Sequence, residues 1–371
     1  MSATTDGREA SRRSKGPPDG SSSKWSFAAD FTQIEWRSFD VATGLRAAFF
    51  SLTPLLLGIA TNQLNAGVIS SIGALNEGVV STLGAININF QEGPSRSRLA
   101  RSLLVGCVGN AVAFSFGTFV GTTGAVVAVP LVAMGVFLAM AVRVGSGLEL
   151  VGLTAAVVFT VGVGLPGGSI AAAGTRFWLM LAGGAWALLG ALLQSSLTRR
   201  SSPGGGTGAP AQKPPSRSDI LAHSLAVAIT VALGLGIAES AGLARDYWVM
   251  LTVVMSLRST PSQTVSFTLM RVMGTAAGAL IGLLLTLDTG SVLVLFCFLS
   301  VFSFAMFATR NMNMVIFTLF LTAFIIILLN LSFPGSGDLA FVRVIDVAIG
   351  GGLALAASAV MWFGSAATRR L

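Results

Sequence analysis

The chain has 371 residues, 53% of them hydrophobic and only 10% charged, with a mean hydropathy of +0.79. Soluble domains carry about 25% charged residues, so this balance excludes an ordinary soluble fold and points to a lipid bilayer. The net charge of +8 does not argue for nucleic acid. The basic residues gather at the ends of apolar runs, as orientation signals do, and no basic domain with interleaved aromatics is present.

Residues 1–24 are rich in Ser, Gly, Pro and charge and read as disordered. The first apolar run begins only near Ala47, too late for the core of a secretory signal. Between them, Trp25, Phe27, Phe31, Ile34, Trp36 and Phe39 alternate with polar residues. That pattern fits a helix lying on the membrane surface, or an extension of the first span.

Apolar runs long enough to cross about 30 Å of hydrocarbon follow in two sets. The first covers roughly 46–62, 67–90, 99–120, 124–142, 148–164 and 174–196. The second covers roughly 220–241, 246–258, 266–287, 290–309, 311–331 and 340–363. The run 67–90 carries Asn76 and Glu77 midway, and 246–258 is too short to span alone. The fold class expected is an all-α membrane protein with about twelve transmembrane helices, arranged as two parallel six-helix repeats. Its parts are a cytoplasmic tail over 1–45, a first repeat over 46–197, a cytoplasmic linker over 198–218, a second repeat over 219–364 and a cytoplasmic tail over 365–371.

Orientation and duplication rest on the arginines. With the amino terminus in the cytoplasm, Arg96, Arg98, Arg101, Arg143, Arg199, Arg200, Lys213, Arg217, Arg258, Arg271, Arg310, Arg369 and Arg370 fall inside, and only Arg176, Arg245 and Arg343 outside. Both termini are therefore placed in the cytoplasm. Arg143 and Arg310 end the fourth and tenth spans, and Arg101 and Arg271 open the third and ninth. Arg176 precedes Gly183-Gly184 as Arg343 precedes Gly350-Gly351-Gly352. Even span numbers around a cytoplasmic linker give repeats of like orientation, related by an axis along the membrane normal.

These six arginines, Arg101, Arg143, Arg176, Arg271, Arg310 and Arg343, are candidates for lining an anion path, because guanidinium stays charged and grips carboxylates with paired donors. The competing reading is topological, arginines at span ends simply fixing orientation. Arg176 and Arg343 break the positive-inside pattern in both halves, which favours function there. Tyr247 and Trp248 adjoin the short span and could stack an aromatic substrate; Trp178 and Trp362 read as interfacial belt residues. Glu77 sits mid-span, where a carboxylate is costly and could carry a proton. Asp346 follows Arg343 by three residues, a spacing that allows an ion pair within one helix, and is a second proton-coupling candidate. Gly274, Gly278 and Gly282 share one helix face, and with Gly350 and Gly351 suit close helix packing in lipid.

Cys107 and Cys297 lie within apolar runs, and His223 is the sole histidine. No CxxC or HExxH spacing occurs, so no metal site, cofactor or enzymatic activity is expected. No phosphate-binding loop is present either, so active transport would draw on ion gradients.

Tyr247-Trp248, then Leu251-Thr252, Pro261 and Arg271-x-x-Gly274-Thr275-x-x-Gly278, resembles the core of the fusaric-acid-resistance (FUSC) type of membrane transporter. That group is related to aromatic acid exporters and, more distantly, to plant malate-permeable anion channels. The closing Arg343…Gly350-Gly351-Gly352 helix is similar too. The likeness is best over about 220–363 and weaker over 46–196, where no such motif stands at Arg101. It implies a six-helix unit used twice around a central path and export of organic, often aromatic, anions. Many relatives carry a large soluble cytoplasmic domain after each membrane half; here only the linker and Ser365 to Leu371 stand at those places.

The sequence thus supports an inner-membrane exporter of small organic, aromatic carboxylate anions, with proton coupling as an addition. A passive organic-anion channel on the same scaffold is the alternative, and a membrane scaffold docking an envelope partner is a second. The partners expected are the lipid bilayer and a small organic anion, with no nucleic acid; a homo-oligomer or a periplasmic adaptor protein is compatible with either.

Overall fold

In the computed structural model the described residues are 34–87, 96–141, 149–197, 216–243, 245–287, 291–332 and 339–368. Among them the chain is all-helical, with twelve α-helices in chain order. These are α1 (Val41–Ala60), α2 (Leu64–Asn87), α3 (Arg96–Val120), α4 (Ala125–Ala141), α5 (Glu149–Gly164) and α6 (Ile170–Leu197), followed by α7 (Arg217–Ser240), α8 (Tyr247–Ser256), α9 (Pro261–Thr286), α10 (Val292–Thr309), α11 (Met314–Ser332) and α12 (Leu339–Thr368). Eight are long and apolar enough to cross a membrane, α1, α3, α6, α7, α9, α10, α11 and α12. The linker expected over 198–218 falls largely outside the described residues; α7 already begins at Arg217.

Local chemistry sets several helix ends. Asp40 caps α1, accepting the Thr43 amide at 3.0 Å. Ser216 and Asp219 form a reciprocal capping box at the start of α7. Asn62 at φ 57° and Gly242 at φ 65° turn the chain after α1 and α7. The segment ahead of α1, expected as a surface helix over 25–39, is described only from residue 34. There it is a short 3₁₀ turn, Trp36–Ser38, and the flanking Glu35 and Asp40 amides donate to the Met312 and Ala308 carbonyls.

One boundary shifts the reading of the site. The ninth helix, expected from about residue 266, begins at Pro261. Its polar opening, Pro-Ser-Gln-Thr, has loop composition, but proline at the first helical position has no amide to leave unsatisfied and already holds a helical φ. The Thr264 hydroxyl then accepts from the Arg258 amide at 3.0 Å and ties the break between α8 and α9.

The outward faces are apolar. On α7, Leu221, Leu225, Ile229, Leu233 and Ile237 are all exposed and recur every four residues. A helix turning such a stripe outward suits lipid rather than water. The inward faces pack through small residues. A Cβ on Gly278 would overlap the Leu319 carbonyl oxygen, and one on Gly274 would come within 2.6 Å of the Val315 oxygen, so α9 and α11 cross backbone against backbone. Gly117 and Gly162 bring α3 and α5 together in the same way. Gly183 of α6 rides on the Ser70 carbonyl of α2, as Gly350 of α12 rides on the Val249 carbonyl of α8.

Helix pairings recur six helices later. α1 packs on α2 and α7 on α8; α2 on α6 and α8 on α12; α3 on both α5 and α6, α9 on both α11 and α12. The halves meet chiefly where α4 and α5 pack against α7 and α8, respectively, and α10 against α1, with a lighter contact of α2 with α11. One core cluster runs through α4, α5, α7 and α8 into α11 and α12, and a second joins α1 and α2 to α10 and α11.

Candidate functional site

Between the halves lies a cavity of about 720 Å³. Its walls come from α2, α5 and α6 on one side and α8, α9, α11 and α12 on the other. Short α8 supplies Tyr247, Trp248, Leu251 and Met255, on the face set by i, i+4 and i+8 spacing. The rest of the wall is mostly aliphatic, with Ile69, Ile72, Val158, Val161, Leu179, Phe324 and Leu328 prominent.

Arg176, Arg271 and Arg343 meet in this cavity, with Tyr247 and Trp248. Arg271 had been expected at the cytoplasmic end of its span; because α9 starts at Pro261, it lies ten residues in, about 15 Å along the axis. It is 2% exposed and Arg343 1%. Nε and Nη1 of both arginines find no hydrogen-bond partner among the described residues. An unpartnered buried donor is costly, and a charged one more so, which makes these groups ready for an anion. No carboxylate lies among the described lining residues.

Arg176 differs. Its Nη1 donates to Thr118 Oγ1 and to the Leu165 carbonyl, both at 3.3 Å, and its Nη2 to the Pro166 carbonyl at 2.5 Å. It clasps the turn between α5 and α6, where Gly167 takes φ 75°. Nothing in the arginine's own sequence neighbourhood announced Thr118 as a partner. The Ser71 hydroxyl, which was not singled out in the sequence, also lines the cavity, buried and without a hydrogen-bond partner among the described residues.

The aromatic pair is fixed by charge. The Arg343 guanidinium carbon lies 4.7 Å from the Trp248 ring centroid and that of Arg245 5.7 Å from it. Tyr247 stands edge-on to Trp248, with ring centroids 5.6 Å apart. Trp178 and Trp362 instead point outward, 67% and 55% exposed, as interfacial residues do.

The remaining candidates lie elsewhere. Arg101 is exposed on α3 and Arg310 caps the end of α10, where burial holds its guanidinium down at about 10; neither lines the cavity. Within the described helices Arg101 lies five residues into α3 and Arg271 ten residues into α9. Arg143 lies outside the described residues, as does the side chain of Glu77, whose backbone belongs to α2. Asp346 is fully buried, and neither of its carboxylate oxygens has a hydrogen-bond partner among the described residues, so its charge acts on Arg343 without a direct hydrogen bond. The Arg343 side chain turns to Trp248 and the cavity instead. Gly274, Gly278, Gly282 and Gly350 sit at the helix crossings, and Gly351 faces Thr268 of α9.

Residues 227–357 match the model of the family described as fusaric acid resistance protein-like. The chain is 27% identical over 145 residues to the inner membrane protein YccS of Escherichia coli (strain K12), an overlap of 39% of this chain and 20% of that protein. It is 31% identical over 147 residues to the uncharacterized protein ORF2 of Neisseria gonorrhoeae, covering 39% of this chain and 35% of the relative. The chain thus spans well under two thirds of either relative. No solved structure matches it.

Proposed function

We propose that this multi-pass membrane protein, whose second half is fusaric acid resistance protein-like, is an inner-membrane transporter exporting small organic anions, aromatic carboxylates foremost. The observation that carries the reading is the pair of buried guanidinium groups, Arg271 and Arg343, with donors unspent in a largely aliphatic cavity beside Trp248. A carboxylate entering there gains charge-assisted hydrogen bonds, and an aromatic ring gains the Trp248 face and aliphatic walls.

The proposed architecture is two six-helix repeats, 46–197 and 219–364, joined by a cytoplasmic linker, with both termini cytoplasmic. Three things support it: helix pairings that recur six helices later, an even number of helices among the described residues, and arginines weighted to one side. Helices α2, α5 and α6 face α8, α11 and α12 across the cavity, so the substrate would sit on the axis relating the repeats. Alternating access then amounts to rocking one half against the other around that site.

The test is flux of radiolabelled benzoate in proteoliposomes. Arg343→Ala and Arg271→Ala should each lower flux at subsaturating benzoate by roughly thirtyfold or more while the protein still inserts. Unchanged flux in both variants would reject the arginine site.

A further inference from the structure

Resting on the reading of the central cavity as the substrate site, we infer that this cavity has a lateral opening to the bilayer. Apolar and amphiphilic compounds dissolved in the membrane exchange with it through the first half, between α1, α2 and α6, past Ala66 and Leu179.

A second hollow, of about 350 Å³, lies where those three helices meet. Leu57 of α1 and Ala182 of α6 line it and are exposed, so it gives onto the apolar outer face, where the neighbour is lipid. Its α1 wall begins at Thr53, within about 12 Å of the end of that helix at Ala60. The hollow therefore sits in the half of the bilayer on the side of the α1–α2 turn, the outer leaflet on the topology proposed above.

Two residues belong to both spaces. Ala66 and Leu179 line the hollow and the central cavity alike, and each is only partly buried. The septum they form carries no charge and no polar side-chain group, so nothing has to be desolvated or unpaired when it parts. Pro54, on the hollow's wall, lacks the amide that would continue the α1 ladder, which lets this helix bend away from α6. Trp186 lines the hollow too, packed on Phe49 and Phe50, and its indole N–H has no acceptor among the described residues. Hydrocarbon supplies none, whereas the oxygen of an amphiphile lodged there would.

The matching crossing in the second half is closed by charge. Gly183 meets the Ser70 carbonyl as Gly350 meets the Val249 carbonyl. Four residues before these contacts stand Ala66 and Leu179 in the first half, but Arg245 and Asp346 in the second. Asp346 is fully buried, and the Arg245 guanidinium carbon lies 5.7 Å from the Trp248 ring centroid. A compound leaving lipid at that point would press hydrocarbon against two ionisable groups, which is costly. The opening thus belongs to the first half alone.

The experiment uses the full chain in proteoliposomes, with Cys107 and Cys297 replaced by alanine and one cysteine introduced by Ser71→Cys, at a position that lines the cavity but not the hollow. The probe is pyrene maleimide, which partitions into lipid. Leu57→Trp and Ala182→Trp fill the hollow from opposite walls without touching the cavity, and each should slow labelling of that cysteine by about tenfold or more. Leu233→Trp, on the exposed face of α7, should leave the rate unchanged, and Leu179→Ala should raise it. Slowing of less than about tenfold by both plugs, equal slowing by Leu233→Trp, or a cysteine that pyrene maleimide never reaches overturns the lateral opening. Labelling needs no bound anion, so that failure leaves the arginine site standing. Benzoate flux indifferent to Arg271→Ala and Arg343→Ala removes the arginine site instead, and with it the part this opening plays in transport.

Discussion

The guanidinium of Arg343 lies 4.7 Å over the indole of Trp248, and through that contact an arginine on α12 is held toward a cavity walled by α8. Cation–π contacts of this kind contribute about 1–2 kcal/mol when desolvated, and indole outranks the benzene ring. Trp248→Leu removes the ring but keeps an apolar side chain. It should raise the KM for benzoate flux about tenfold in proteoliposomes, with Trp248→Phe falling between it and the native protein. Equal KM values for all three would mean that the ring neither orients Arg343 nor meets the substrate.

Much of this arrangement was legible in the sequence because membrane helices announce themselves by hydropathy. The short α8 and the glycine-faced α9 stood out for the same reason, one by its length and the other by Gly274, Gly278 and Gly282 at helical spacing. What escaped depends on contacts distant in sequence. In sequence Arg271 looks like a span-end residue because Pro261-Ser-Gln-Thr has loop composition, and only the helix start shows its depth. Arg176 and Arg343 looked alike, yet one is tied by Thr118, 58 positions away, and the other is not. Spacing alone brings Asp346 to mind as a partner for Arg343, and it cannot weigh an indole that arrives from another helix.

That difference between two arginines gives a second prediction. Arg176→Ala leaves the Leu165 and Pro166 carbonyls without their donor, at a cost of roughly 1–3 kcal/mol. It should therefore lower the thermal unfolding midpoint in detergent and reduce the maximal flux, with little change in KM. Arg343→Ala should raise KM with a smaller change in the unfolding midpoint. Interchanged phenotypes would place the substrate at Arg176 instead.

The helix crossings predict a graded glycine series. Gly278→Ala sets a Cβ against the Leu319 carbonyl, and Gly183→Ala sets one against the Ser70 carbonyl, both of them backbone atoms that cannot step aside. Each should destabilise the folded protein by about 1–3 kcal/mol, read as an earlier transition on heating in detergent. Gly236→Ala and Gly352→Ala meet open space and should be close to neutral or slightly stabilising. A flat series would mean that α9 and α11, and α2 and α6, do not cross as closely as these glycines require.

Topology is open to cysteine labelling. In a background with Cys107 and Cys297 replaced by alanine, single cysteines at Ser201 and at Leu371 should react with a membrane-impermeant maleimide from the same side. Single cysteines at Gly167 and Gly242, in the turns after α5 and α7, should react only from the opposite side. Label reaching Ser201 and Leu371 from opposite faces would break the parallel duplication.

Proton coupling separates an antiporter from a passive channel, and Asp346 and Glu77 are the two carboxylates proposed to supply it. Asp346 is fully buried on α12, three residues beyond Arg343, with both oxygens lacking a hydrogen-bond partner among the described residues. Glu77 belongs to α2, whose Asn65 to Leu75 stretch contributes to the first-half wall. If either carboxylate takes up a proton during the cycle, its amide variant fixes the neutral state. Asp346→Asn or Glu77→Gln should then abolish benzoate flux driven by a pH gradient while sparing benzoate exchange at equal pH on both sides. Asp246 provides the control: it stands at the head of α8, and burial pushes its carboxyl above the usual range. Its protonated form therefore persists to a higher pH than in an exposed aspartate, so Asp246→Asn tests whether a burial-shifted carboxylate outside the helices suffices. Gradient-driven flux that survives Asp346→Asn and Glu77→Gln but disappears in Asp246→Asn would move the coupling step to the mouth of α8. Native protein that passes benzoate at the same rate with and without a pH gradient would leave a channel as the mechanism, with Arg271 and Arg343 as its selective constriction.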